Sequence, residues 1–205
     1  MELGRVGVVG RFKPLHNGGA LMLEAICEKA DEVIIGIGSS NKYNLRNPFT
    51  PEESKEMIEK FLSQRFSNYK IIFIPDFAHI QEYDDGQKWR EYIKKEFGKL
   101  DYFVSGNEYV SKLLEKDYKV IHPAELISED KRIILKATEV RVEIAKVGNW
   151  KSLVPNVVAE YLENSGLVQR FRKEFGLQTL TLLANDSYKL PENYDQEKLH
   201  TGEAW

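Results

Sequence analysis

The stretch Gly10-Arg11-Phe12-Lys13-Pro14-Leu15-His16-Asn17-Gly18-Gly19 holds the densest chemistry in the chain. It follows an apolar run directly and opens a helical pattern. Its glycines let backbone N–H groups close on an anion at the positive end of that helix. Arg11, Lys13 and His16 add cationic or hydrogen-bonding side chains to the same turn. The spacing fits neither the phosphate loop GxxxxGK[ST] nor the dinucleotide fingerprint GxGxxG. It reads as an anion-binding turn of another pattern.

The elements around it fix where it sits. Arg5-Val6-Gly7-Val8-Val9 reads as a first buried strand, and a helix face follows through Leu21, Leu23, Ala25, Ile26 and Ala30. Glu32–Ile37 reads as a second strand, ending in Gly38-Ser39-Ser40-Asn41. Thr50-Pro51-Glu52-Glu53 has the marks of a helix start. Thr50 can cap, Pro51 suits the first helical position, and Glu53 stands three residues after the cap. Lys70–Ile74, Tyr102–Ser105 and Lys119–Ile121 read as further strands, interleaved with helices at Gln87–Phe97 and Asn107–Glu115, and followed by helices at Thr138–Lys146 and Val157–Glu163. This alternation predicts a Rossmann-like α/β fold, a central parallel sheet with helices on both faces. Ligands of such sheets lie beyond the carboxyl ends of the strands, which brings the segments after Val9, Ile37 and Val104 to one edge.

Residues 1–175 read as one domain, helical from about Lys136, and 176–205 as a polar tail. Within the tail Thr179–Leu183 suggests a short strand. Asp186–Trp205 is either mobile or docked through Tyr188, Tyr194 and Trp205.

The 205 residues are 42% hydrophobic and 30% charged, the balance of a globular protein long enough to bury a core. The net charge of -3 gives no reason to expect nucleic acid as a partner. No apolar run approaches the ~18 residues of a membrane span, and Met1–Arg5 does not read as a signal peptide. Cys27, the only cysteine, permits neither an intrachain disulfide nor a cysteine metal site. A cytoplasmic location is expected.

The first segment resembles GRFxPxHxGH of the nucleotidyltransferase superfamily, in which HxGH binds the triphosphate of ATP or CTP. Four more segments stand in the order of the archaeal nicotinamide-nucleotide (NMN) adenylyltransferases. They are Gly36-Ile37-Gly38-Ser39 with Asn47-Pro48-Phe49-Thr50, then Ser105-Gly106-Asn107, then Ala137-Thr138-Glu139-Val140-Arg141, and Leu153-Val154-Pro155. The third, Ala137-Thr138-Glu139-Val140-Arg141, is similar to that family's SGTEVR. The resemblance covers roughly residues 4–175.

It implies adenylyl transfer from ATP to NMN, giving NAD and pyrophosphate, with Mg²⁺ carried on the triphosphate, no protein metal ligands, and self-association. It sets ATP against Gly10, Arg11, Phe12, His16, Gly18, Arg46, Ser105, Gly106, Asn107, Thr138 and Arg141, and NMN against Trp89, Phe12 and Asp76. Catalytic roles fall to His16, Arg46, Arg141 and Lys13. Thr138 would cap a helix, and Arg141, three residues on, would reach the same anion. Ordinary roles stand beside these: Arg11 and Arg46 as surface charges, Arg141 as a helix partner, Trp89 as core, Asn107 as a cap. His79, His122 and His200 have no ligand spacing, and His79 alone lies near the acceptor loop.

The departures matter. Gly19 stands where the second His of HxGH belongs, Lys13 where Gln is usual, and Ala137 where Ser or Gly is usual. Glu53-Ser54 replaces the family's Glu-Arg. A cation at Lys13 would substitute in part for the missing donor. Two other functions stay open: transfer to a different phosphorylated acceptor, read by Asp76–Trp89, and nucleotide binding without turnover.

Overall fold

Val33, Ile35 and Ile37 point to one side of β2 (Glu32–Ile37) and Ile34 to the other, so the strand is apolar on both faces and must lie between two layers. The computed structural model describes residues 2–77 and 86–185. In it β2 is the second strand of a five-stranded, all-parallel sheet of order β3-β2-β1-β4-β5. The others are β1 (Arg5–Gly10), β3 (Tyr69–Phe73), β4 (Tyr102–Val104) and β5 (Val120–Ile121). The Rossmann-like arrangement expected from the sequence is present.

One layer holds α1 (Asn17–Lys29) and α2 (Pro51–Leu62), whose Leu23, Ile26, Met57 and Ile58 share a core with Val6, Val8, Val33 and Ile35. The other holds α3 (Gln87–Phe97) and α4 (Glu108–Leu114), whose Ile93, Phe97 and Leu114 pack with Ile34 and Phe103. On that second side a Cβ at Gly7 or Gly36 would come within 3.0 Å of the Phe97 ring. The absence of side chains there lets Phe97 rest directly on strand backbone. The chain runs outward from β1 to β3, then returns to β4 on the far side of β1. That reversal opens a crevice at the carboxyl ends of β1 and β4.

The start of α2 is as the sequence predicts. Thr50 Oγ1 accepts from Glu53 N at 3.2 Å while Glu53 Oε2 accepts from Thr50 N at 2.9 Å. Beyond β5 the chain is helical: α5 (Ala137–Ala145), α6 (Asn156–Asn164), α7 (Leu167–Phe171), a π-helical turn (Arg172–Gly176) and α8 (Leu177–Asn185). Val140, Ile144, Val158, Leu162 and Phe171 extend the first core.

The strand expected at Thr179–Leu183 is instead part of α8. Threonine favours strands, but here the hydroxyls of Thr179 and Thr181 donate to carbonyls four residues back, at 2.8 and 2.9 Å, and are satisfied within the helix. The helix follows directly on the turn that ends at Gly176, where the composition change begins. Tyr188, Tyr194, His200 and Trp205 lie outside the described residues, as does His79.

A clamp ties these C-terminal helices to the loop before α2. The Arg170 guanidinium donates to both Glu53 oxygens, at 2.5 and 2.7 Å, and to Pro48 O at 3.1 Å. Its Cζ lies 5.7 Å from the centre of the Tyr43 ring, and the Tyr43 hydroxyl donates to Glu174. Phe49 stacks on Phe171 with ring centres 6.1 Å apart. The hydrogen bond to Glu53 holds the Arg170 guanidinium protonated even more firmly than usual. Replacing Arg170 by Met should lower stability by about 2 kcal/mol, between the small effect of an exposed pair and the large one of a fully buried pair. A urea midpoint unchanged from wild type would show the clamp to be ornamental.

Candidate active site

The turn after β1 is shaped by its own side chains. Phe12 adopts φ 52°, Lys13-Pro14 is a cis peptide, and the Phe12 ring lies so near Gly10 that a Cβ there would sit 2.7 Å from it. Gly10 O accepts from Gly38 N at 2.9 Å, joining the ends of β1 and β2. The Lys13 side chain is fully buried and its Nζ donates to Ser39 O at 3.0 Å and Asn47 Oδ1 at 3.5 Å. Burial pushes its ammonium down to about 8, helped by the charge of Arg11 and opposed by Glu52 and Glu53.

His16 is the N-cap of α1 and 5% exposed. Its Nδ1 accepts from Gly19 N at 3.2 Å, so the neutral ring carries its proton on Nε2. Burial first, and then the nearby Arg141 charge, push its pKa down to about 4. At neutral pH it is an uncharged donor at the positive end of a helix. Gly18 must be glycine for a different reason: a Cβ there would lie 2.8 Å from the Ile133 carbonyl oxygen, which is backbone and cannot swing aside.

The opposite wall is the start of α5, and here one expectation fails. Thr138 is not the cap; Lys136 is, and Thr138 is the second helical residue. Glu139 decides this by accepting from Lys136 N at 2.9 Å, which places the helix start before Ala137. The Thr138 hydroxyl serves Arg141 instead, accepting from Nη2 at 2.9 Å. Arg141 Nη1 donates to Lys13 O at 3.0 Å, and the residue is 6% exposed. Its guanidinium is therefore oriented from two sides before any ligand arrives.

Arg11, Phe12, Lys13, His16, Gly19, Lys136, Ala137, Thr138 and Arg141 line one pocket between these walls. The structure thus brings together Arg11, Phe12, His16, Thr138 and Arg141, five of the eleven residues the sequence reading set against ATP, together with Lys13. Others stand apart from it. Arg46 is half-buried in a loop where Asn44 Oδ1 accepts from Arg46 N and Asn47 N at 3.1 and 3.0 Å. Ser105, Gly106 and Asn107 follow β4, with Asn107 Oδ1 capping α4 by accepting from Val110 N at 3.0 Å. Asp76 is held by its backbone, through two bonds to the Asn41 amide at 2.8 and 3.0 Å. Trp89 is half-buried against the α3–α4 core. The sequence reading missed Lys136 and Ala137 as pocket residues. The available signal was a lysine in Lys136-Ala137-Thr138, where SGTEVR begins with serine.

Among the described residues no group of three or more His, Cys, Asp or Glu side chains is placed to hold a metal ion. The pocket offers cations and neutral donors, which suit an anionic ligand that brings its own counter-ion. No helix among the described residues is long and apolar enough to cross a membrane.

Comparison with known proteins agrees with this geometry. Residues 8–144 match the cytidylyltransferase-like family. The chain is 36% identical over 169 residues to the nicotinamide-nucleotide adenylyltransferase of Thermococcus sibiricus, covering 80% of this chain and 86% of that one. It is 35% identical over 170 residues to the enzyme of the same name from Pyrococcus furiosus, covering 80% and 85%. A bifunctional NMN adenylyltransferase/ADP ribose pyrophosphatase from Francisella tularensis, crystallised with AMP and a Mn ion, superposes with a TM-score of 0.66 at 20% identity. That match covers 92% of this chain and 58% of the larger protein, and it shows the shared fold. The pattern read from the residues and the likeness of whole sequences converge, and the chain belongs to the archaeal nicotinamide-nucleotide adenylyltransferases of the cytidylyltransferase-like family.

Proposed function

We propose that this chain transfers the adenylyl group of MgATP to NMN, forming NAD and releasing pyrophosphate. The observation that carries the reading is the pocket in which neutral His16, Arg141 and Thr138 face one another across two helix N-termini. A 5′-phosphate oxygen of NMN attacks the α-phosphorus of ATP in line, and the bond to the bridging oxygen of pyrophosphate breaks. The nucleophile is already anionic, so the step needs no protein base. The chain holds both reactants and neutralises charge gathering on the α-phosphorus and the leaving group.

His16 Nε2–H and the Arg141 guanidinium serve the triphosphate. Lys13 ties Ser39 to Asn47 and so braces the loop that carries Arg46, the residue this reading assigns to the phosphates from outside the pocket wall. In this reading Ser105-Gly106-Asn107, which follow β4, are assigned to the adenosine, and Asp76 with Trp89 to NMN. Mg²⁺ arrives with ATP, held by phosphate and water. Self-association and a cytoplasmic location belong to the same reading, and the buried, unpaired Cys27 suits a reducing compartment.

The test is a product assay with ATP, Mg²⁺ and NMN. Equal amounts of NAD and pyrophosphate are the expected result. ATP bound without any NAD would overturn the acceptor and point to another phosphorylated metabolite.

A further inference from the structure

Gly19 removes a side-chain donor from the pocket, and nothing has closed over the space. The nearest neighbours of a Cβ built there are Leu15 at 3.6 Å and the His16 ring at 3.7 Å, ordinary contacts. Beside Arg11, three lysine and arginine residues of the same pocket differ in what already engages them. The Lys13 ammonium is held by Ser39 and Asn47, and the Arg141 guanidinium by the Lys13 carbonyl and Thr138. Lys136 lines the pocket too, is exposed, and its ammonium has no ion-pair or hydrogen-bond partner among the described residues. Its backbone, by contrast, is fixed, since Lys136 N donates to Glu139 Oε1 at 2.9 Å and Lys136 O accepts from Glu139 N at 3.0 Å. An anchored main chain that carries an uncommitted lysine in the lining of an anion pocket suits a phosphate ligand.

We propose that Lys136 is a further ATP-binding and catalytic residue, which meets the β- and γ-phosphates from the α5 side and supplies the donor absent at position 19. The proposal rests on the adenylyl-transfer reading for its catalytic half only. In the transition state the bridging oxygen leaves with the pyrophosphate, whose charge rises as the bond to the α-phosphorus breaks. A flexible ammonium beside that group stabilises it more than it stabilises bound ATP, so the effect falls on turnover as well as affinity. The donor that the α1 wall lacks at Gly19 is thus supplied from the α5 wall.

Two measurements test it, using the full chain and Lys136→Ala and Lys136→Arg variants. Calorimetric titration with MgATP and with AMP, without NMN, reads the binding half. Lys136→Ala should weaken MgATP about tenfold and leave AMP unchanged, and Lys136→Arg should keep most of the ATP affinity. Equal effects on ATP and AMP, or none on either, would overturn the proposal whether or not NMN is the acceptor. Pyrophosphate release in the presence of NMN reads the catalytic half through a cycle with Gly19→His. The histidine should raise turnover at least tenfold more in Lys136→Ala than in the wild type, because the two groups serve one role. Equal gains in both backgrounds would show that Lys136 and position 19 act independently and would sink the compensation.

Discussion

Arg141→Ala is expected to lower kcat/KM for ATP by about a thousandfold while the chain stays folded. The guanidinium is nearly inaccessible, yet it lines the pocket and is aimed by the Lys13 carbonyl and the Thr138 hydroxyl. On the proposed reading, removing it takes away a charge-assisted donor to phosphate, and it breaks the bond to the Lys13 carbonyl in the turn that leads to His16. Lysine should not rescue it, since one ammonium cannot reproduce a planar fork that spans two protein partners and a ligand. Steady-state rates for wild type, Arg141→Ala and Arg141→Lys decide the matter, with circular dichroism to confirm folding. An alanine variant within tenfold of wild type would remove Arg141 from the chemistry.

His16→Ala should cost about 10²–10³ in kcat. The pH dependence makes this prediction sharper. With its pKa pushed down to about 4, His16 stays neutral across the range in which a free imidazole would titrate near 6.5. Activity should therefore show no His16 transition between pH 5 and 8, and carbon and nitrogen shifts of the ring should report the Nε2–H tautomer throughout. Stability follows the same sign. Between about pH 6.5 and about 4 the unfolded chain takes a proton at this site and the folded chain does not, so stability falls as the pH falls through that window. His16→Ala should flatten that part of the profile in urea titrations at pH 7, 6, 5 and 4.5. A ring that titrates near 6.5 in the folded protein would contradict the buried, helix-capping geometry.

Features written within a few residues were legible in the sequence. The five strands announce themselves as short apolar runs, and the Thr50–Glu53 capping box lies inside one helical turn. The anion turn was legible because its spacing is itself the motif. Misreadings arose where a local preference had a competitor. Thr138 is a good cap by type, but Glu139 claims the N–H of Lys136 and moves the helix start. Thr179 and Thr181 suggest a strand until their hydroxyls bond back along α8. Lys136 gave almost no signal, because a lysine in a charged chain defaults to solvent and only the wall opposite Gly19 gives it a second meaning. The bond of Arg170 to Glu53, across 117 positions, left no trace in any local pattern.

The reach of Arg141 to the Lys13 carbonyl spans 128 positions, and it bears on how the protein comes into being. A ribosome delivers the first wall of the pocket early and the second only when two thirds of the chain has emerged. The clamp at Arg170 is delivered later still. Until then the Gly10–Gly19 turn is exposed without the groups that aim it, and a nascent chain cannot hold ATP in the finished geometry. Once both walls meet, the nucleotide binds the folded form alone and adds its own free energy to a fold that is just closing. Any ligand that needs both walls therefore stabilises the joined fold by mass action, and the more so the further its concentration exceeds its dissociation constant.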